Sequence, residues 1–439
     1  MNLNTHQITE ILGFKEQITN SEILNISTDS RTIQNGDLFI AVKGEKFDGH
    51  TFVKDVLQKG ASAAIVEHYI DDAPKDKQIL VSDSLDAYGK IGAFIRSRFK
   101  GTVIGLTGSA GKTTTKEEIK FILSHFGKVY ATAGNHNNFI GVPESLCKMD
   151  MSADFAVIEM GMSAKGEISR LTSYVQPDVA LITNVYPMHI EFFPDLEHIA
   201  LAKAEIFEGL KKGAPAVINA DTNFANVLIE KAKEKTDKIF LFGKNNQPKA
   251  SFELQDEGEN HYYNAWATLK IIEALGLDVQ KAASYIKDFG ALDGRGKKHT
   301  LKLQKGGTYT LIDDSYSGQP EAMKLAITAL DKIEAKGRKI AVLGKMAELG
   351  EHSKEKHIEI GKLLAKTNID IVVGVCPEMK DMLLELPPRI KQYYFESKDG
   401  VDEFLLKELL QNEDILLIKG ARYSSKLYQI TEELIKKGS

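Results

Sequence analysis

The sequence predicts an α/β protein of three domains: a small N-terminal one, a central one with a largely parallel sheet, and a doubly wound C-terminal one. Three observations predict it. Short apolar runs alternate with segments of helical spacing along most of the chain. A glycine-rich turn follows one of those runs directly and opens a helix. At 439 residues the chain is too long for a single hydrophobic core.

Residues 1 to about 98 form the first domain, with strand-like runs at 37–42 and 63–66 and helical spacing across 53–57. Two polar clusters lie within it, Ser27-Thr28-Asp29-Ser30-Arg31 and Lys43-Gly44-Glu45-Lys46-Phe47-Asp48-Gly49-His50. By composition both read as loops.

The second domain, 99 to about 293, is organised around Gly105-Leu106-Thr107-Gly108-Ser109-Ala110-Gly111-Lys112-Thr113-Thr114-Thr115. An apolar run at 102–106 precedes the turn, and Ile119, Ile122, Leu123 and Phe126 follow it at helical spacing, with Gly127 as the stop. Strand, glycine turn and helix in that order make a phosphate cradle. Backbone N–H groups from Thr107 to Thr114 close around phosphate oxygens, Lys112 reaches the terminal phosphates, and the Thr113 hydroxyl holds Mg²⁺. The spacing is G-x-x-G-K-T-T, shorter than the general pattern, which wants glycine where Leu106 stands.

Further strand-like runs at 155–158, 179–182, 216–218 and 239–242 alternate with helical stretches, the pattern of a parallel sheet. Ligands belong at the carboxyl ends of such strands. Polar residues stand there: Glu159, a candidate Mg²⁺ ligand, then Thr183-Asn184 with His189 soon after, and Asn219-Ala220-Asp221. The polar stretch 244–260 interrupts this domain as an exposed segment.

From about 294 to the end, runs at 309–312, 340–343, 369–375 and 415–418 alternate with helical segments near 320–335, 353–366, 400–411 and 425–437. This is a doubly wound sheet without its own phosphate loop. Its strand-end loops, Asp313-Asp314-Ser315-Tyr316, Gly344-Lys345-Met346 and Lys419-Gly420-Ala421-Arg422, are polar enough to take part in a nucleotide site.

Composition narrows the class. The chain is 43 % hydrophobic and 27 % charged with a formal net charge of −5, which gives no basic field for nucleic acid. Two distant cysteines, Cys147 and Cys376, fit no metal or redox spacing and read as core thiols in a reducing compartment. No membrane span and no signal peptide is expected, so the reading is cytoplasmic.

Taken in order and spacing, these motifs resemble the Mur ligases. The resemblance runs through Thr28-Asp29-Ser30-Arg31, Phe47-Asp48-Gly49-His50, the phosphate loop, Gly134-Asn135-His136-Asn137-Asn138, Ile140-Gly141-Val142-Pro143 and Glu159-Met160-Gly161. It continues through Thr183-Asn184-Val185 with His189, Ala202-Lys203-Ala204-Glu205-Ile206, Asn219-Ala220-Asp221, His261 with Asn264, Gly294-Arg295-Gly296, Asp314-Ser315-Tyr316 and Lys419-Gly420-Ala421-Arg422. It implies a UDP-sugar-binding N-terminal domain, a central ATPase domain and a Rossmann-like C-terminal domain. The implied reaction is ATP-dependent addition of D-Ala-D-Ala to a UDP-N-acetylmuramoyl tripeptide through an acyl phosphate, in peptidoglycan precursor synthesis by a monomer.

The resemblance also assigns residues. Lys112, Thr113 and Glu159 fall to phosphates and Mg²⁺; Asn264, Asp314 and Tyr316 to the nucleotide; Arg295 to the γ-phosphate. Asp29, Ser30, Arg31, Asp48, Gly49, His50, Asn137, Asn138, Lys345 and Arg422 fall to the other substrates. His189 reads as a metal-site or positioning residue rather than a nucleophile. Lys203 would carry CO₂ as a carbamate and serve a second Mg²⁺; by residue type alone, a lysine in a helical segment points to solvent.

Two other readings stay open: a ligase of the same superfamily with a different amine, and a nucleotide switch, although the chain has no guanine-reading Asn-Lys-x-Asp. Departures from the family pattern gather in the third domain. Ser315-Tyr316-Ser317-Gly318-Gln319-Pro320 stands for Ser-Tyr-Asn-Ala-Asn-Pro, Lys345 for an aspartate and Ala421 for a serine, while the segment between Phe252 and His261 is short.

Overall fold

Most of the apolar runs become parallel strands in the computed structural model, which describes residues 3–44, 47–188, 190–255, 258–347 and 349–438. Near the N-terminus, Ile26–Ser27, Leu38–Ile40, Ala63–Val66 and Gln78–Leu80 pair in chain order, all parallel. Alternate residues feed two cores. Leu38, Ile40 and Ile65 join Ile8, Tyr88 and Ile91 on one face, and Phe39, Ala64 and Val66 join Val53 and Val56 on the other.

The second sheet has six parallel strands in the order Ile239–Phe242, Ala216–Asn219, Val179–Ile182, Thr102–Thr107, Phe155–Glu159, Val129–Ala131. Because all run the same way, their carboxyl ends share one edge. The strand order reverses beside Thr102–Thr107, which puts the glycine turn at the switch point where ligands bind in such sheets.

The third sheet runs Lys297–Lys302, Thr308–Asp314, Ile415–Lys419, Lys339–Gly344, Ile371–Val375, Lys391–Phe395, and only the first pairing is antiparallel. It is doubly wound. Leu311, Val342, Val373 and Ile418 enter one core, while Ile312, Leu343, Val372 and Leu417 enter the other. Helices Pro320–Lys332, Ser353–Leu364 and Tyr428–Gly438 lie near the expected segments, the first with proline at its start. The expected helix at 400–411 is Val401–Phe404 running into a π-helical turn, Leu405–Leu409.

The chain divides into two compact units. The first is Met1–Val185, Ala200–Phe252 and Tyr263–Tyr285; the second is Tyr186–Ile199, Glu253–Tyr262 and Ile286–Ser439. The first unit holds both N-terminal sheets, and a polar bolt ties the segment before position 98 to the second sheet. Arg96 donates to the carbonyls of Val175 and Gln176, each at 2.9 Å, and pairs with Asp178 at 2.8 Å, while Tyr174 donates to Asp86 at 2.7 Å. Among the described residues no helix is long and apolar enough to cross a membrane. Both cysteines are buried and free, as read from their spacing.

Candidate functional site

Glycine is required at two places in the phosphate loop. A side chain on Gly108 would put its Cβ 1.9 Å from Thr183 Oγ1, and Gly111, which caps the helix Lys112–Leu123, has φ 77°. The loop is held from the next strand. Ser109 N donates to Asn184 O at 3.0 Å, Ala110 N donates to Asn184 Oδ1 at 2.7 Å, and Thr183 Oγ1 and Asn184 Nδ2 both donate to Ala110 O. One strand further out, Asn219 Nδ2 donates to Thr183 O at 2.8 Å. Thr183-Asn184 and Asn219 thus build the cradle, whereas their position at strand ends suggested ligand contacts.

Lys112 Nζ donates to the carbonyl of Gly108 at 2.8 Å, inside the turn where a terminal phosphate would meet it. Thr113 Oγ1 donates to Glu159 Oε1 at 3.3 Å, and Asn137 Nδ2 donates to the same oxygen at 2.8 Å. Glu159 is 1 % exposed, and its other oxygen, Oε2, is buried without a hydrogen-bond partner. An orphaned carboxylate oxygen beside a phosphate-loop hydroxyl fits a hard cation. Among the described residues no three His, Cys, Asp or Glu side chains form a metal cluster.

Asn264, on the helix Glu259–Ala274, accepts from Thr115 Oγ1 at 3.1 Å, one turn from Gly111. Asn138 is used differently from Asn137: its Oδ1 accepts from Ile140 N and Gly141 N at the start of the helix Gly141–Cys147. Lys203 corrects the solvent-facing reading of a helical lysine. It is 2 % exposed, and burial, with repulsion from Lys112, lowers its amine far below the usual lysine range. His189 lies outside the described residues.

The N-terminal clusters are ordered by their own side chains. Asp29 accepts from Arg31 through both carboxylate oxygens, at 2.8 and 2.7 Å, which holds its carboxyl down at about 2. Ser30 O accepts from Lys59. Asp48 Oδ1 accepts from His50 N and contacts His50 Nδ1 at 2.6 Å, while His50 Nε2 accepts from Glu67 N. Buried and committed at both nitrogens, His50 organises this turn. Gly49 is needed because a Cβ there would lie 2.7 Å from Val42 N.

In the second unit, parallel strands bring the other candidates to one sheet edge. Asp314 pairs with the buried Lys419 at 2.7 Å; burial nevertheless keeps its carboxyl above the ordinary range. The Tyr316 ring lies under Arg295 at 4.2 Å and beside Arg422 at 5.4 Å, two guanidiniums sharing one aromatic face system. Two of the departures meet: a Cβ on Gly318 would lie 2.3 Å from Ala421 N. Lys345 Nζ donates to Glu378 Oε1 at 2.9 Å.

Three family models match in order: the Mur ligase family catalytic domain at 22–93, the Mur ligase middle domain at 106–275, and the Mur ligase glutamate ligase domain at 300–422. The chain is 33 % identical to the UDP-N-acetylmuramoyl-tripeptide--D-alanyl-D-alanine ligase of Rickettsia prowazekii, over 95 % of this chain and 97 % of that one. The chain belongs to the Mur ligase family. The correspondingly named ligase of Escherichia coli is 30 % identical over 99 % of this Mur ligase and 98 % of its own length. A crystal structure of MurF from Acinetobacter baumannii aligns at TM-score 0.88 and 30 % identity, covering 100 % of this chain and 99 % of that one. MurF from Thermotoga maritima in complex with ADP aligns at TM-score 0.80 and 30 % identity, over 94 % and 97 % of the two chains.

Sequence reasoning missed Lys116, fully buried one helical turn beyond Lys112. The signal was available. Residues 116, 119 and 123 share the apolar face of that helix, and a lysine there must find partners inside.

Proposed function

We propose that this Mur ligase adds D-alanyl-D-alanine to a UDP-N-acetylmuramoyl tripeptide with ATP, forming ADP and phosphate. The observation that carries it is the meeting of Thr113 and Glu159 at the phosphate loop, with one buried carboxylate oxygen unpartnered. In the reaction the terminal carboxylate of the tripeptide attacks the γ-phosphorus, the β,γ P–O bond breaks and ADP leaves. The neutral amine of the dipeptide then attacks the acyl carbon, loses a proton, and expels phosphate.

The chain's own residues hold and neutralise. Lys112 and Arg295 spread the charge that develops on the transferring phosphoryl group, and Asn264, Asp314 and Tyr316 position the nucleotide. Thr113 and Glu159 would hold Mg²⁺, with a second ion served by Lys203 and His189. Bound Mg²⁺ supplies charge neutralisation between phosphate oxygens. Lys203 carries a carbamate: its neutral amine adds CO₂ and releases one proton, and the resulting anion offers oxygen donors in place of an ammonium. The deep burial of Lys203 supports this, because only the neutral amine reacts.

Residues 1–98 bind the UDP-sugar through Asp29, Ser30, Arg31, Asp48 and Gly49, with His50 bracing the turn and Asn137 and Asn138 bordering the peptide. Residues 99–293 bind ATP, and 294–439 receive the amine through Lys345 and Arg422. The enzyme works as a monomer in the cytoplasm, where ATP and UDP-linked precursors are found.

The test is ADP release measured with each substrate omitted in turn. Release that requires both the UDP-muramoyl tripeptide and D-Ala-D-Ala is expected; release without an amine would instead make the protein a nucleotide switch. A panel of amines in the same assay separates D-Ala-D-Ala addition from a Mur ligase with a different amine acceptor.

A further inference from the structure

Lys116 has no place in the chemistry described above, yet it is one of the largest fully buried side chains in the molecule. Its Nζ donates to Thr132 O at 2.7 Å and to Gly134 O at 2.6 Å, and lies 3.1 Å from Glu117 Oε1 and 3.9 Å from Glu159 Oε2. Both carbonyls belong to the loop that follows the edge strand Val129–Ala131. That loop also carries Asn137, whose amide donates to Glu159 Oε1 and whose carbonyl accepts from Gly161 N at 2.7 Å. Thr132 adds a third tie, since its Oγ1 accepts from Glu159 N at 3.1 Å.

An edge-strand loop has few neighbours to fix it, and Gly134 is itself exposed with φ 50°. Two charge-assisted hydrogen bonds from a buried ammonium give the loop a fixed anchor on the phosphate-loop helix. The same ammonium offsets the charge of the buried Glu159 carboxylate while leaving Oε2 without a hydrogen bond.

We propose that Lys116 is a positioning residue for the Glu159 metal site: it clamps the 132–137 loop to the phosphate-loop helix, so that Asn137 fixes one oxygen of Glu159 and the other stays directed to a divalent cation. This rests on the reading of Glu159 as a metal ligand. A merely structural lysine would affect stability and nothing else; a positioning lysine affects cation affinity.

The experiment titrates Mn²⁺ into the full chain with a non-hydrolysable ATP analogue and reads free Mn²⁺ by electron paramagnetic resonance, which requires neither the peptide nor the amine. Lys116→Met is expected to weaken Mn²⁺ binding about tenfold, the size typical of lost support behind a ligand. Asn137→Ala should weaken it similarly, and the double variant should be no worse than the weaker-binding single, because both act through one contact. Lys120→Met, an exposed lysine further along the helix, should change nothing. A folded Lys116→Met with wild-type Mn²⁺ affinity, or fully additive losses in the double variant, would overturn the proposal. If Lys116→Met does not fold, Gly134→Val loosens the other end of the clamp through its backbone, since a Cβ there meets nothing. Wild-type affinity in that variant would equally overturn it. Failure of Mn²⁺ to bind the wild type would instead remove the metal role of Glu159.

Discussion

Lys345 Nζ sits 2.9 Å from Glu378 Oε1, each side chain about one-third exposed, at the carboxyl edge of the third sheet. Lys345 stands in place of an expected aspartate and has an acidic neighbour. Burial works to raise the Glu378 carboxyl, but the hydrogen bond from Lys345, a backbone hydrogen bond and the charges of Lys345 and His357 together outweigh it, so the group stays below its ordinary range. Part-exposed and paired with a single carboxylate, Lys345 is able to trade Glu378 for a substrate carboxylate. Lys345→Asp should raise the KM for D-Ala-D-Ala several-fold while the KM for ATP stays near wild type. Steady-state kinetics with each substrate varied checks this; equal dipeptide KM values would place Lys345 outside the acceptor site.

Lys112→Ala should abolish ADP formation and leave the melting temperature almost unchanged, because the lost contact acts on the transferring phosphoryl group. Turnover within about tenfold of wild type, ~1.4 kcal/mol of barrier, would take the phosphate loop out of the mechanism.

Lys203→Ala should be nearly inactive and partly rescued by a small added carboxylate, whereas Lys203→Arg should not be rescued. Labelled CO₂ should give a carbamate signal in the carbon NMR spectrum of the wild type that Lys203→Ala lacks. Full activity of Lys203→Arg would sink the carbamate.

Glu118 gives a pH prediction independent of activity. It is 3 % exposed, and burial raises its carboxyl from the ordinary 4.5 to about 8. Between those values the folded chain holds a proton that the unfolded chain has released. Stability therefore falls as pH rises through that window, by at most ~1.4 kcal/mol per pH unit from this group, and levels off above about 8. Glu118→Gln should match wild type near the acid end and exceed it increasingly toward pH 8. Denaturant unfolding across that range is the measurement, and a pH-independent difference would show that Glu118 ionises normally in the fold.

The central strands were legible because they are buried on both faces and read as continuous apolar runs. Val129–Ala131, Lys297–Lys302 and Lys391–Phe395 were not, and all three are sheet edges. An edge strand keeps water on one side, so lysines and glutamine interrupt the apolar pattern of Lys297–Lys302 and Lys391–Phe395, while Val129–Ala131 is only three residues long. At the site, the glycine turn, Lys112, Thr113 and Glu159 could be read because strand, turn and helix fix them locally. The pairing of Lys345 with Glu378 and the anchoring of Thr132 by Lys116 join residues far apart in sequence, and no local spacing encodes them. Lys203 shows the same limit in reverse: its helix could be read, its burial could not.

The hydrogen bonds joining Thr183 and Asn184 to the phosphate loop, with Asn219 bracing Thr183 from the next strand, make that loop a composite of three strand ends rather than a portable motif. The shortened G-x-x-G-K-T-T turn borrows its stiffness from partners more than seventy residues away. A graft of residues 105–115 onto another scaffold would carry the chemistry without the frame. In a mutational survey, then, substitutions at 183, 184 and 219 should cluster with those in the loop itself, as though the chain carried one discontinuous nucleotide-binding word spelled across the sheet.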